Sequence, residues 1–194
     1  MTTSEISAET AAQIPFSSIP AWARPAAVGG VTPPSADRTP DGASYLVIGI
    51  GEAAHAWATE RVATLPSGRP STLICVETPA EATDALRDAL ASATVGVRVY
   101  VAGPVGACLT VRAAAVTAGI EDDELVVEPV GAGPIDVFCS HCRTVTSALA
   151  DIDDIVDCTG CGRGLLVYYH VSRRRGAFLG FMADAETPNR EDTA

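Results

Sequence analysis

The chain has 194 residues, enough for one substantial domain and one small module, and 47% of them are hydrophobic. Its formal net charge is -11, which argues against nucleic-acid binding because phosphate contacts need a basic surface. The N-terminus shows no charged segment followed by an apolar run, and no stretch reaches the roughly 18 apolar residues of a membrane span. We therefore expect a folded cytoplasmic protein with no signal peptide and no membrane segment.

Residues 1–43 are predicted to form a proline-rich N-terminal arm, because the prolines interrupt any periodic pattern. Residues 1–13 have the character of a disordered tail. The large apolar side chains of Ile14, Phe16, Ile19 and Trp22 instead predict an ordered arm that lies across its own domain or a partner.

Residues 44–130 are predicted to form a small three-layer α/β domain. Apolar runs that end at turn residues alternate with alanine-rich helical segments. The predicted strands are 45–51, 71–77, 97–102 and 125–128, and the predicted helices are 52–65, 78–92 and 105–118. This alternation favours a parallel sheet covered by helices on both faces, with strand 71–77 buried and with Cys75 and Cys108 as small buried residues.

Four cysteines near the C-terminal end carry the most specific pattern in the chain, C-x2-C-x15-C-x2-C. The pattern joins Cys139, Cys142, Cys158 and Cys161. Each C-x2-C pair can form a tight turn that directs two sulfurs at one centre, so two such knuckles predict a zinc ribbon over residues 135–186. Two disulfides are the alternative, which the reducing cytoplasm disfavours.

Iron is the other metal that four thiolates can hold, and it would make the chain a rubredoxin-like electron carrier. Knuckles of that kind usually carry glycine after the second cysteine. Gly162 meets this requirement, whereas Arg143 occupies the matching position of the first knuckle. We therefore favour structural zinc, because closed four-thiolate sites in ribbons are usually redox-silent.

The C-terminal segment combines a basic run with apolar residues. Arg173, Arg174 and Arg175 precede Phe178 and Phe181 in an otherwise acidic chain. Such a small ribbon is expected to offer no sheet for this segment to join. Arginine and aromatic residues are enriched at interface anchors, so these five residues are predicted to dock a partner protein.

A candidate nucleotide site lies where the first and third predicted strands end. Gly49 and Gly51 form a G-x-G turn before a helix, and Gly103 and Pro104 end the third strand. Glu52 places a negative charge where phosphates would lie, so close packing between strand and helix is the competing explanation. A stand-alone nucleotide-binding module remains an alternative function.

Residues 98–105, the helix after them and the short strand 125–128 resemble the last third of the NAD(P)-binding domain of ferredoxin-reductase-type flavoenzymes. In that family a strand, Cys-Gly-Pro, a helix and a short strand with glutamate follow in this order, and Ala102 here replaces the cysteine. The resemblance implies that residues 44–130 are a shortened reductase-like domain. The flavin-binding barrel that precedes such domains is not expected in the short leader.

Residues 138–146, the second cysteine pair, residues 166–174 and residues 176–181 are similar to the DmmA-type subunit of bacterial haem-dependent dimethylamine monooxygenase. The resemblance implies a component of an NADPH-consuming complex that converts dimethylamine to methylamine and formaldehyde. It also implies that haem, flavin and an iron–sulfur cluster reside in separate partner subunits, a haem subunit and a reductase subunit. This chain is then an accessory or assembly subunit with no catalytic residues of its own.

Overall fold

A computed structural model describes residues 6–25, 28 and 41–184, and these contain four α-helices and nine β-strands. The helices are α1 (Ala8–Gln13), α2 (Glu52–Thr64), α3 (Pro79–Ala91) and α4 (Val105–Thr117). The strands are β1 (Ser44–Ile50), β2 (Ser71–Val76), β3 (Val97–Gly103), β4 (Leu125–Pro129), β5 (Ile135–Cys139), β6 (Val145–Ala148), β7 (Ile155–Asp157), β8 (Gly164–Ser172) and β9 (Ala177–Met182). No helix among them is long and apolar enough to cross a membrane.

Strands β1 to β4 form a parallel sheet in the order β2-β1-β3-β4. Leu46, Ile48 and Val99 pack with α3 and α4 on one face, while Tyr45 and Val47 pack with α2 on the other. Apolar side chains point both ways because both faces are covered, which explains the continuous apolar runs of β1 and β3. The predicted α/β fold with a small parallel sheet is confirmed.

Strand β2 is an edge strand, and its predicted burial is wrong. It pairs only with β1, and alternate side chains therefore face solvent. Leu73 is 41% exposed and Cys75 is exposed as well, whereas Cys108 on α4 is buried as predicted. Position in a sheet depends on which strands pair, and the local sequence does not encode it.

Helix α3 begins as its sequence predicts. The Thr78 side chain accepts a hydrogen bond from the Glu81 N–H, and the Glu81 carboxylate accepts one from the Thr78 N–H. These bonds pair donors that would otherwise lack a partner in the first turn, and Pro79 has no N–H to leave unpaired. They also lower the pKa of Glu81, chiefly through the Thr78 hydroxyl.

Strands β5 to β9 form a second sheet in the order β6-β5-β9-β8-β7. Strand β9 is central: it pairs parallel to β5 and antiparallel to β8. The expectation that the C-terminal segment has no sheet to join is therefore wrong. Phe178 pairs with Val137 and Val171 in the core and is only 3% exposed, so it is not available to dock a partner.

The N-terminal arm packs on this second sheet. Residues 8–13 form α1 rather than a disordered tail, and Ile14 and Ile19 are buried among side chains of β5 and β8. The Ser18 hydroxyl donates to the Val171 carbonyl and accepts from the Val171 N–H. Ile14, Ser18 and Ile19 of the arm thus lie against the second sheet of their own chain, while Pro33, Pro34 and Pro40 lie outside the described residues.

Helix α4 joins the two sheets. Its Cys108 and Val111 belong to the core of the parallel sheet, and its Leu109 belongs to the core shared by the second sheet and the arm. Gly176, in the turn between β8 and β9, lies directly against the carbonyl oxygen of Leu109. A side chain at that position would not fit, so this glycine permits the close approach.

Candidate metal centre

Two turns of the same shape bring the four predicted cysteines together. The Arg143 N–H donates to the Cys139 carbonyl at 2.9 Å, and the Gly162 N–H donates to the Cys158 carbonyl at 2.8 Å. Arg143 (φ 67°) and Gly162 (φ 70°) both adopt the left-handed conformation. Arginine therefore takes the backbone conformation that was expected to need glycine. The two knuckles have the same backbone shape at this position although their residues differ.

The sulfur atoms are spaced for a shared metal ion. The Sγ atoms of Cys142 and Cys158 are 3.5 Å apart, and those of Cys139 and Cys161 are 3.9 Å apart. A tetrahedral ion with metal–sulfur bonds of about 2.3 Å requires sulfurs about 3.8 Å apart. All six cysteines of the chain are free thiols in the structure, so no disulfide competes with this arrangement.

His141 offers a further donor at the same centre. Its ring nitrogen and the Sγ atoms of Cys139, Cys142 and Cys161 all lie within 4.8 Å of one another. This set leaves out Cys158, although Cys158 is 3% exposed and contacts Cys142 directly, whereas His141 is exposed. The geometry thus presents four thiolates with a histidine at the rim, and the two knuckle hydrogen bonds place Cys158 in the same role as Cys139.

The surroundings of the sulfurs shift their protonation. Hydrogen bonds from the Thr144 side chain and backbone lower the pKa of Cys142 to about 6, and the Cys161 N–H lowers the pKa of Cys158. For Cys161, a hydrogen bond from the Arg163 N–H lowers the pKa. Burial and the other three cysteines outweigh this effect and raise the pKa to about 11. The Cys142 thiolate is therefore available at neutral pH, and thiolate is the form that ligates metals.

The second knuckle is also tied to strand β6, and both knuckles are tied to the core. The Thr159 N–H donates to the Thr146 hydroxyl at 3.1 Å, and the Thr146 side chain is 4% exposed. Cys139 and Cys158 belong to the same apolar cluster as Ile14 and Ile19 of the arm. The ligand cysteines and the arm therefore share one apolar cluster, so we expect formation of the metal centre to support packing of the arm.

The four residues predicted to bind a nucleotide lie at the carboxyl edge of the parallel sheet. Gly51 and Pro104 line a cavity of about 280 Å³ there, together with Glu77. Gly49 and Gly103 do not line this cavity. A Cβ on Gly49 would be 2.9 Å from the Ala54 carbonyl oxygen, and a Cβ on Gly103 would be 2.9 Å from the Ile50 Cβ. Close packing thus accounts for Gly49 and Gly103, and the nucleotide site stays a prediction.

The three arginines of the predicted docking segment have separate surroundings. Arg173 forms an ion pair with Asp122 at 3.0 Å, and the Arg175 guanidinium lies 4.3 Å from the centre of the Phe138 ring. Arg174 and Arg175 line a cleft beside α3 and α4, while Phe181 is 42% exposed on β9. Neither Asp122 nor Phe138 could be recognised from the sequence, since only the fold brings them to this segment.

Comparison with known proteins places the metal centre inside a matched region. Residues 136–181 match the family model for the dimethylamine monooxygenase subunit DmmA-like, C-terminal domain. The chain is 37% identical over 103 residues to the heme-dependent oxidative N-demethylase delta subunit of Ectopseudomonas mendocina (strain ymp). That match covers 53% of this chain and 58% of the relative, and no solved structure matches. The resemblance predicted from the sequence is therefore confirmed over residues 136–181, which are similar to the DmmA-like C-terminal domain.

Proposed function

We propose that this chain is an accessory or assembly subunit of a multi-subunit oxidative N-demethylase and has no catalytic centre of its own. The main support is that the four-cysteine cluster lies within the segment that matches the DmmA-like C-terminal domain. The relative's name, a delta subunit of a haem-dependent enzyme, supports haem-containing partners. The finer proposal is demethylation of dimethylamine to methylamine and formaldehyde with NADPH, through a haem subunit and a flavin and iron–sulfur reductase subunit.

We propose that Cys139, Cys142, Cys158 and Cys161 hold a structural zinc ion. The sulfur spacing and the matched knuckles support this ligand set. His141 is then a rim residue whose loss leaves the ion bound. Zinc in such a closed site would stabilise the second sheet and the arm packed on it.

Iron at the same four cysteines is the second candidate, with the chain acting as a rubredoxin-like electron-transfer subunit. One observation favours keeping it: Arg143 adopts the same left-handed conformation as Gly162. The missing glycine in the first knuckle is therefore no argument against iron. The two metals differ in their readouts, since iron in such a site is coloured and redox-active.

We also propose that residues 44–130 are a reductase-like α/β domain and that residues 135–186 form a separate ribbon domain. The strand order β2-β1-β3-β4 is compatible with a doubly wound nucleotide-binding sheet. The cavity beside Gly51 is smaller than most ligand pockets, and Glu77 gives it negative charge, so nucleotide binding is the weaker alternative. Titration with NADPH tests it.

Elemental analysis and a visible spectrum of the purified chain separate the two metals. One zinc ion per chain with no colour is expected, and one iron with a reducible red chromophore would establish the electron-transfer alternative. Cys158→Ser is then compared with His141→Ala for metal content and for co-purification with the other subunits. We expect Cys158→Ser to lose both and His141→Ala to keep both, because only the former removes a ligand.

A metal-free but fully assembled Cys158→Ser complex would contradict the structural role of the ion. Loss of the metal from His141→Ala with retention in Cys158→Ser would instead assign the ligand set to three cysteines and the histidine.

A further inference from the structure

One face of the five-stranded sheet has no layer over it among the described residues. In a sheet, residues directly opposite each other on neighbouring strands share a face. Val145 lies beside Phe138 and Phe138 beside Leu179, while Ile155 lies beside Leu166 and Leu166 beside Phe181. We call these six residues, with Tyr168, the open face.

These seven residues of the open face are apolar or aromatic; three are exposed and the other four are half-buried. Ile155 is 64% exposed, Phe181 is 42% exposed and Val145 is 41% exposed. None of its seven residues belongs to the apolar clusters that the described residues form, whereas the opposite face packs on the arm and α4. The Tyr168 ring meets the Phe181 ring edge-on at 5.0 Å, which makes one aromatic surface. An apolar area of this kind, spread over five strands, marks an interaction site.

A basic cleft borders the open face. Arg175 links the two, because it stacks on Phe138 and also lines the cleft with Arg174, Arg87 and Thr110. The cleft has a volume of about 450 Å³. Arg87 is paired with Asp84, but Arg174 has no ion pair within the part of the chain that the structure describes. A positive site in a chain of net charge -11 is suited to an acidic group.

We propose that the open face and the arginine cleft together bind another subunit of the N-demethylase complex, one that presents an apolar patch bordered by carboxylates. This inference rests on the proposed function and specifies its partner contact. The apolar core of such an interface supplies affinity, and the arginines at its edge set orientation. A second copy of this chain is a poorer occupant, because two chains of net charge -11 repel each other.

The experiment measures the affinity of the full-length chain for the co-purified remaining subunits. Phe181→Ser and Arg174→Glu test the apolar and basic parts, and both side chains are exposed, so the fold should survive. Phe16→Ser and Arg69→Glu are the matched controls: Phe16 is 85% exposed on the arm, and the Arg69 side chain is 50% exposed beyond α2. We expect each test variant to bind at least tenfold more weakly and each control to bind like the original chain.

Metal content and the thermal midpoint confirm that every variant is folded. Failure of the original chain to bind the other subunits overturns the proposed function and this inference with it. Normal binding by the original chain and by both test variants overturns the docking surface alone. Self-association of the isolated chain that Phe181→Ser abolishes assigns the open face to a second copy and likewise overturns the proposal.

Discussion

At the scale of single residues, Ile14 and Phe16 of the arm provide a direct test of its packing. Ile14 is fully buried against the second sheet, whereas Phe16 is 85% exposed. Ile14→Ala removes buried methyl groups and leaves a cavity, so we expect the free energy of unfolding to fall by about 2–5 kcal/mol. Phe16→Ala should leave it within about 0.5 kcal/mol, although the deleted group is larger. Urea denaturation measures both.

An equal, small effect of the two substitutions would mean that the arm does not pack on the sheet in solution. The sequence marked both side chains as too apolar for a free tail, but it could not tell which one is buried. That distinction comes from the 3-10 turn at residues 14–16, which directs Ile14 inward and Phe16 outward.

The metal ligands show how much of the site a local sequence pattern can predict. The spacing of the four cysteines predicted the sulfur cluster, because each knuckle is closed by its own backbone hydrogen bond. The spacing also puts His141 inside the first knuckle, where its ring could replace a cysteine as a ligand, but it did not predict which sulfurs the ring would approach, because that depends on side-chain direction within the turn. It also did not predict that Arg143 would accept a left-handed backbone, which for a residue other than glycine costs about 1–2 kcal/mol.

At the scale of elements, the α/β part was predictable and the second sheet was only partly so. Helices and parallel strands of 44–129 alternate along the chain, and caps such as Thr78 mark their ends locally. Strand β9 was missed because its partners are remote: β5 lies some 40 residues earlier, and that pair is parallel. An apolar strand and an apolar docking segment have the same local sequence, so only the pairing distinguishes Phe178 in the core from Phe181 on the surface.

The turn between β8 and β9 gives a test of how closely the second sheet approaches α4. Gly176 has φ 65°, and an added Cβ would collide with the Leu109 carbonyl oxygen. Gly176→Ala should therefore lower the free energy of unfolding by about 2–4 kcal/mol, which combines the left-handed backbone with overpacking. Gly68→Ala is the control, since Gly68 has φ 84° with open space around it and should lose only about 1 kcal/mol.

Equal losses for the two glycine variants would show that the backbone conformation alone matters and that the β8–β9 turn stands away from α4. A difference between them, measured by thermal or urea unfolding, reports the contact itself. The same contact holds Arg174 and Arg175 beside the α3–α4 cleft, so loosening it is also expected to weaken partner binding.

At the scale of the whole molecule, the metal centre, the arm and the second sheet share one apolar core, and the parallel sheet has its own. Cys139 and Cys158 pack with Ile14 and Ile19, while β1 and β3 pack with α2, α3 and α4. Two elements contribute to both cores: α4, through Leu109 on one side and Val111 on the other, and the arm, whose Trp22 packs against both. Loss of the metal should therefore act unequally on the two parts.

Removing the metal with a chelator should expose the arm and the second sheet while the parallel sheet stays folded. Structural ions of this kind contribute directly to folding, and Ile14 and Ile19 of the arm are buried in the core that contains Cys139 and Cys158. Hydrogen exchange read by mass spectrometry is expected to rise in residues 6–25 and 135–182 and to change little in 44–103. Adding zinc back should restore protection. Uniform loss across both parts would mean that the chain unfolds as one unit, and no loss would mean that the core, rather than the ion, holds the knuckles together.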